Sequence, residues 1–248
     1  GSDLYFDRHD GEAATCEDFV RAMEEGGAID LTQFRRWYEQ AGTPRVTARI
    51  ESDEGSGERV LHLAQAVPAT PGQPDKAPTL IPLRIKAFDL DGGHGIEEER
   101  LVLLDRAEMA VPLGHYRSRP MLSLNRGFSA PVHLNFDYSD EQLAVLLAAD
   151  DDSFARWEAG QTLYRRAIAA NEAALAAGKP LPEHPALLRA VEQVLQAENA
   201  GFQAMLLVVP PEAELWADGE SIDPLRVHQA REALLDLIAS RFTAQFKA

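Results

Sequence analysis

Apolar positions along residues 34–50, FRRWYEQAGTPRVTARI, change period in mid-run. Up to Ala41 they recur at helical spacing, and after Pro44 they alternate as in a strand. A helix is therefore predicted to give way to a sheet across Gly42-Thr43-Pro44. Upstream, residues 3–42 read as helical. Thr15 precedes CEDFVRAMEE and Asp30 precedes LTQFRRWYEQA, each with a polar residue three positions on, Asp18 and Gln33. That spacing predicts two helices closed by capping boxes, in which side chains satisfy free backbone N–H groups. In the second helix Leu31, Phe34, Trp37, Tyr38 and Ala41 share a face, Gly42 can adopt the left-handed conformation that ends it, and Pro44 forbids its continuation. So large an aromatic load predicts that the segment packs on the following strands or on an adjoining domain.

Residues 43–139 alternate as short strands: RVTARI, RVLHLAQAV, LIPLRIKAF, ERLVLLD, MLSLN and PVHLNFDY, separated by ESDEGSG, PATPGQPDKAP and DLDGG. In the last, Val132, Leu134, Phe136 and Tyr138 fall on one face and His133, Asn135 and Asp137 on the other. Hairpins at this spacing predict an antiparallel β-sandwich. From residue 140 the helical period returns. Gly178-Lys179-Pro180 ends one long helix, and Asp223-Pro224 starts the last with an N-cap and a proline whose missing N–H costs nothing there. Successive helices of this kind predict an α-helical bundle or superhelical array. The fold class is thus α+β and multidomain: a helical segment over 1–42, a sandwich over 43–139 and helices over 140–248.

Composition narrows the partners. The 248 residues are 45% hydrophobic, ample for packed cores. A formal net charge of −16, from 24 Lys and Arg against 40 Asp and Glu, opposes binding to nucleic acid or an anionic membrane. The longest apolar runs, LAVLLAA and AMLLVV, fall far short of the roughly 18 to 20 residues that cross a bilayer, and no signal-peptide pattern opens the chain. The lone Cys16 cannot form an internal disulfide, which makes the cytoplasm the default compartment. A start on Gly1-Ser2-Asp3 and an end at FTAQFKA, inside an amphipathic helix with no terminator, predict an excised fragment.

Candidate chemistry is sparse. DLDGGHG, residues 89–95, superficially resembles a calcium loop, but the later ligands are missing and Asp-Gly between alternating stretches signals a hairpin turn. His9, His62, His94, His115, His133, His184 and His228 include no pair at zinc-ligand spacing. No G-x-S-x-G elbow, phosphate loop or dinucleotide fingerprint occurs. Cys16, at a helix start, reads as a small buried residue. The acidic runs at 97–99 and 150–152 read as solvated ends of elements, the second placed favourably at a helix start. No catalytic, cofactor-binding or metal-binding residue is assigned.

The longer patterns are more specific. YFDRHDGEAATCEDFVRAM (5–23) and FRRWYEQAGTP (34–44) resemble the stretch that closes the catalytic domain of bacterial aminopeptidase N and leads into its next domain. RGFSAPVHLNFDYSDEQL (126–143) resembles the exit of that family's β-sandwich, FARWEAGQTLYRR (154–166) the entry to its C-terminal helical domain, and ESIDPLRVHQAREALLD (220–236) extends the likeness.

The resemblance implies the tail of a thermolysin-like catalytic domain, a β-sandwich and the beginning of a helical superhelix, with Gly42-Thr43-Pro44 as the hinge between the first two. Members of this gluzincin family are zinc metallo-aminopeptidases that remove one residue from a peptide's N-terminus. Their zinc is bound through H-E-x-x-H and a downstream Glu, and G-x-M-E-N holds the free α-amino group. Neither motif occurs here, so the resemblance implies zinc and peptide substrates for a full-length parent and a supporting, enclosing role for this piece. The parent's remaining domains would be its partners. The competing expectation is a free-standing sandwich-plus-helix interaction module without peptidase activity.

Overall fold

The computed structural model describes residues 1–52, 58–91, 93–115, 119–196, 199–215 and 223–247. Residues 53–57 of the ESDEGSG link, Gly92 of DLDGG and 220–222 of the ESIDPLR stretch lie outside the described residues. The chain forms two compact units: residues 1–83, 101–115 and 130–136 in the first, and 84–100, 116–129 and 137–248 in the second.

The first unit opens with helices α1 (Ser2–His9), α2 (Cys16–Gly27) and the single turn α3 (Arg36–Glu39). The Thr15–Asp18 capping box forms as the spacing predicts: the Thr15 hydroxyl accepts from the Asp18 N–H, and the Asp18 carboxylate accepts from the Thr15 N–H. The second predicted helix is much shorter than residues 31–41. Asp30 instead accepts from the Thr32 N–H, a local turn that competes with helix. Gln33 turns away from the cap and donates to the carbonyls of Pro78 and Asp105.

Strands β1 (Arg45–Ser52), β2 (Arg59–Ala66), β3 (Ile81–Asp89), β4 (Arg100–Leu104), β5 (Glu108–Gly114), β6 (Pro120–Leu124) and β7 (His133–Asn135) follow. They form sheets in the orders β5-β2-β1-β7 and β4-β3-β6. Pairing is antiparallel from Arg45↔Ala66 to Ser52↔Arg59, as expected for an antiparallel sandwich, while the short β7 pairs parallel with β1. β5 was not predicted, and the strand expected over 131–138 pairs through only three residues. Val46, Leu61, Leu63, Ile81 and Leu104 are buried in this unit. Buried Gln65 ties its loops together: its amide donates to the carbonyls of Thr79 and Leu104 and accepts from the Thr79 N–H, at 2.9–3.0 Å.

In the second unit, residues Ile85–Asp89 of β3 pair antiparallel with β6. Helices α4 (Asp140–Ala149), α5 (Ser153–Ala176), α6 (Pro185–Leu195), α7 (Ala200–Leu206), α8 (Glu212–Leu215) and α9 (Pro224–Arg241) complete it. α4 starts on a Ser139–Gln142 capping box, and α5 and α9 start on Asp152 and Asp223, whose carboxylates accept from the Ala155 and Arg226 N–H groups. α5 buries residues on most of its circumference, so it lies in the interior of the helical packing. At Gly160 a Cβ would come within 3.2 Å of a Leu147 methyl, which explains a glycine in mid-helix. The polar residues of α5 bond outward from this interior: Gln161 to the Val208 carbonyl, Tyr164 to that of Leu206 and Asn171 to that of Ala230. Gly178, at φ +61°, ends the stretch after α5 as predicted. α9 closes at Arg241, followed by a 3-10 turn at Gln245–Lys247, so the expected helical run does not continue through residues 242–247, and Ala248 lies outside the described residues.

Candidate functional site

The histidines fall on separate elements. His9 ends α1, His115 follows β5 and His133 lies in β7. His62 faces Glu51 at 3.0 Å and His228 faces Glu212 at 2.7 Å. The carbonyl of His94 accepts from the Asp89 N–H, which closes the turn expected for DLDGGHG. His184 precedes α6 in the left-handed conformation, at φ 49°, with Nε2 2.8 Å from the Asn171 amide oxygen. Because the Asn171 amide nitrogen donates to Ala230, its oxygen must face the ring, so His184 carries a proton on Nε2. Burial lowers the pKa of this ring from its ordinary value, partly offset by Asp140. Cys16 is exposed, not buried as expected, because it lies on the outward side of the first turn of α2. Among the described residues no three His, Cys, Asp or Glu side chains converge as metal ligands.

The strongest electrostatic arrangement lies in the second unit, at the acidic run 150–152. Arg126 is 4% exposed and meets three carboxylates: Glu99 at 2.9 Å, and Asp150 and Asp151 each at 2.5 Å. Lys86 reaches Asp151 at 2.6 Å. Asp152 accepts from the N–H groups of both Gly127 and Ala155, so it caps α5 and pins the turn Arg126–Phe128 together. The run therefore does not simply face water, which corrects the reading from sequence. Sequence periodicity could not show this, because the cation that organises it lies 24 residues earlier.

Each member responds to its surroundings. Burial raises the pKa of Asp150, against the opposing effects of the Ser123 hydroxyl, the Asp152 N–H and Arg126. Ser123 Oγ and Asp150 Oδ2 are both buried away from solvent, which is costly for an ionised carboxylate. Asp151 is pulled down to about 2, first by the Lys86 ammonium and then by Arg126. Burial works against the charge of Arg126, yet Glu99, Asp150 and Asp151 outweigh it and raise its pKa. The guanidinium of Arg126 is thus committed to three carboxylates within one cluster. It locks the turn after β6 to the α4–α5 junction.

The class that these observations define is a β-sandwich followed by an array of packed helices. Two family profiles match: residues 42–137 fit a domain of unknown function, DUF3458, with an Ig-like fold, and residues 140–248 fit its C-terminal companion, described as ARM repeats. Aminopeptidase N of Escherichia coli is 35% identical over 258 aligned positions, which cover 100% of this chain and 29% of that protein. Aminopeptidase N of Haemophilus influenzae is 34% identical, covering 99% and 29%, and that of Caulobacter vibrioides is 44% identical, covering 96% and 28%. The crystal structure of Legionella pneumophila aminopeptidase A in complex with aspartic acid superposes with a TM-score of 0.82 at 24% identity, over 98% of this chain and 27% of that one, a likeness of fold. Nearly the whole chain is thus similar to aminopeptidases N, and it spans less than a third of the length of these relatives.

Proposed function

We propose that this chain is the non-catalytic β-sandwich and first helical part of a zinc-dependent aminopeptidase N, preceded in residues 1–42 by the tail of the catalytic domain. The observation that carries the reading is the match of nearly the whole chain to three aminopeptidases N. In such a parent, zinc would supply the activated water that attacks the first peptide carbonyl. The described residues offer no fitting donor set, so no catalytic step is assigned to this chain. Its own work is to hold geometry: the Arg126 cluster fixes the start of α5, and the helices from α4 onward form one wall of the substrate chamber. The acidic balance of −16 favours approach of cationic peptide N-termini by long-range attraction. Degradation of peptides in the cytoplasm is the corresponding cellular role. No helix among the described residues is long and apolar enough to cross a membrane.

Aminoacyl-anilide hydrolysis tests this directly. The purified chain should show no turnover above background and no stoichiometric zinc after dialysis, whereas the full-length parent should cleave the substrate and lose activity to a chelator. Chelator-sensitive turnover by the chain itself would overturn the assignment, and so would a chelator-indifferent parent.

A further inference from the structure

In the first unit, β2 is joined to β3 by residues 67–80, VPATPGQPDKAPTL, which hold no regular element beyond the Thr70↔Gln73 bridge. Pro68, Pro71, Pro74 and Pro78 carry no N–H, so this loop has more carbonyl acceptors than donors. Residues 33–41 supply what it lacks. Gln33 and Arg36 donate to the Pro78 carbonyl, Trp37 Nε1 donates to that of Leu80 at 2.8 Å, and the Gln40 amide both donates to the Ala77 carbonyl and accepts from the Ala77 N–H, at 2.9 and 2.8 Å. The loop reciprocates through Gln73, which accepts from the Ala41 N–H at 2.8 Å and donates to the Glu39 carbonyl at 2.9 Å.

Lys76 completes the arrangement. Its ammonium spends all three donors on neutral oxygens: the Ala41 and Pro68 carbonyls at 2.5 and 2.7 Å and the Thr70 hydroxyl at 2.8 Å. Gly42, at φ +93°, passes so close that a Cβ there would lie 3.4 Å from Thr70 Cγ2 and 3.6 Å from Lys76 Nζ. Upstream, Arg35 binds both Glu17 and Glu24 of α2, and Glu24 also accepts from the Leu31 N–H at 2.7 Å.

We propose that the seam at residues 39–44 is a closed clasp, locked by Lys76, and not a hinge. Helix α2, the segment 31–41 and the strand β1 then move as one body, and a displacement of α2 reaches the sheet without a compliant joint. If residues 1–42 are the tail of a catalytic domain, that domain and the sandwich turn together. This last consequence rests on the function proposed above, while the clasp does not.

Hydrogen exchange read by NMR on the whole chain tests the clasp without any peptidase readout. The Ala41 and Ala77 amides should exchange within about tenfold of the amides in the β1–β2 ladder, because opening of the seam requires opening of the sheet. Lys76→Met should speed those two amides by about tenfold or more and leave the ladder unchanged, as expected for a local opening. If Lys76→Met loosens the ladder as well, Gln40→Ala is read by the same criterion. Exchange of Ala41 and Ala77 near the free-peptide rate in the unaltered chain would overturn the proposal. So would variants that leave those rates where they were.

Discussion

Replacing Arg126 by Met is the most searching perturbation of the second unit. Met retains much of the aliphatic volume and removes the guanidinium, which strands the carboxylate of Asp150, whose side chain is 0% exposed. Glu99 and Asp151 are 37% and 58% exposed and can turn toward water, so the cost concentrates on Asp150. Breaking one side of a buried ion pair costs about 3 to 5 kcal/mol, more than the pair itself contributes, because the surviving charge is left desolvated. For a chain of this size that lowers the melting temperature by roughly 6 to 20 °C.

The pH dependence separates a charge effect from a packing effect. In the variant, the folded-state pKa of Asp150 lies above its unfolded value, so the folded chain holds the proton more tightly. The deficit should therefore be largest near pH 7 and shrink as pH falls toward about 4, where the unfolded carboxyl also protonates. Urea denaturation followed by helical circular dichroism over this range measures it. Adding Asp150→Asn to Arg126→Met should recover part of the loss at pH 7, giving a favourable coupling in the double-mutant cycle. A midpoint at pH 7 equal to that of the unaltered chain, or a deficit that grows on acidification, would refute the reasoning.

Other predictions concern single contacts. Trp37→Ala should cost about 2 to 3 kcal/mol, below the range for a fully buried Trp because the ring is only half-buried, and Trp37→Phe about 1 kcal/mol for the lost bond to Leu80, both read from urea midpoints. Gln65→Leu should destabilise the chain by about 2 to 3 kcal/mol, since it strands the buried N–H of Thr79; a change under about 0.5 kcal/mol would count against that bond. His184, whose pKa is lowered by burial, should leave stability unaffected above about pH 7 and erode it as pH falls below the ordinary value of 6.5, where the unfolded ring takes up the proton first. His184→Asn, which tolerates the left-handed backbone, should flatten that slope; a slope unaltered in the variant assigns it elsewhere.

Local signals were legible in the sequence, and signals that depend on distant partners were not. Thr15 and Asp18 satisfy each other within three residues, so their box could be read directly. Asp30 and Gln33 have the same spacing, yet Gln33 is claimed by Pro78 and Asp105, 45 and 72 residues away, and the helix contracts to Arg36–Glu39. β5 escaped notice because Pro112 interrupts EMAVPLG, which argues against a central strand. In the observed order β5 is an edge strand, where a missing N–H is tolerated. The parallel pairing of β1 with β7 follows from chain topology, which alternation alone does not encode. The acidic run 150–152 reads as a solvated helix start because charge runs usually are, and the distant Arg126 is what draws Asp150 into the interior.

Buried polar groups in both units share one use. Gln65 and the half-buried Lys76 in the first unit, and Gln161 in the second, donate to backbone carbonyls of irregular segments. Arg126 plays the same part with carboxylates. Leaving a buried carbonyl unmet costs about as much as a lost hydrogen bond, so each of these side chains makes one irregular connection compatible with a packed interior. The distribution of these groups sets which connections the packed interior depends on. It also predicts where such a protein fails first: at the loops these side chains secure, before the strands and helices themselves.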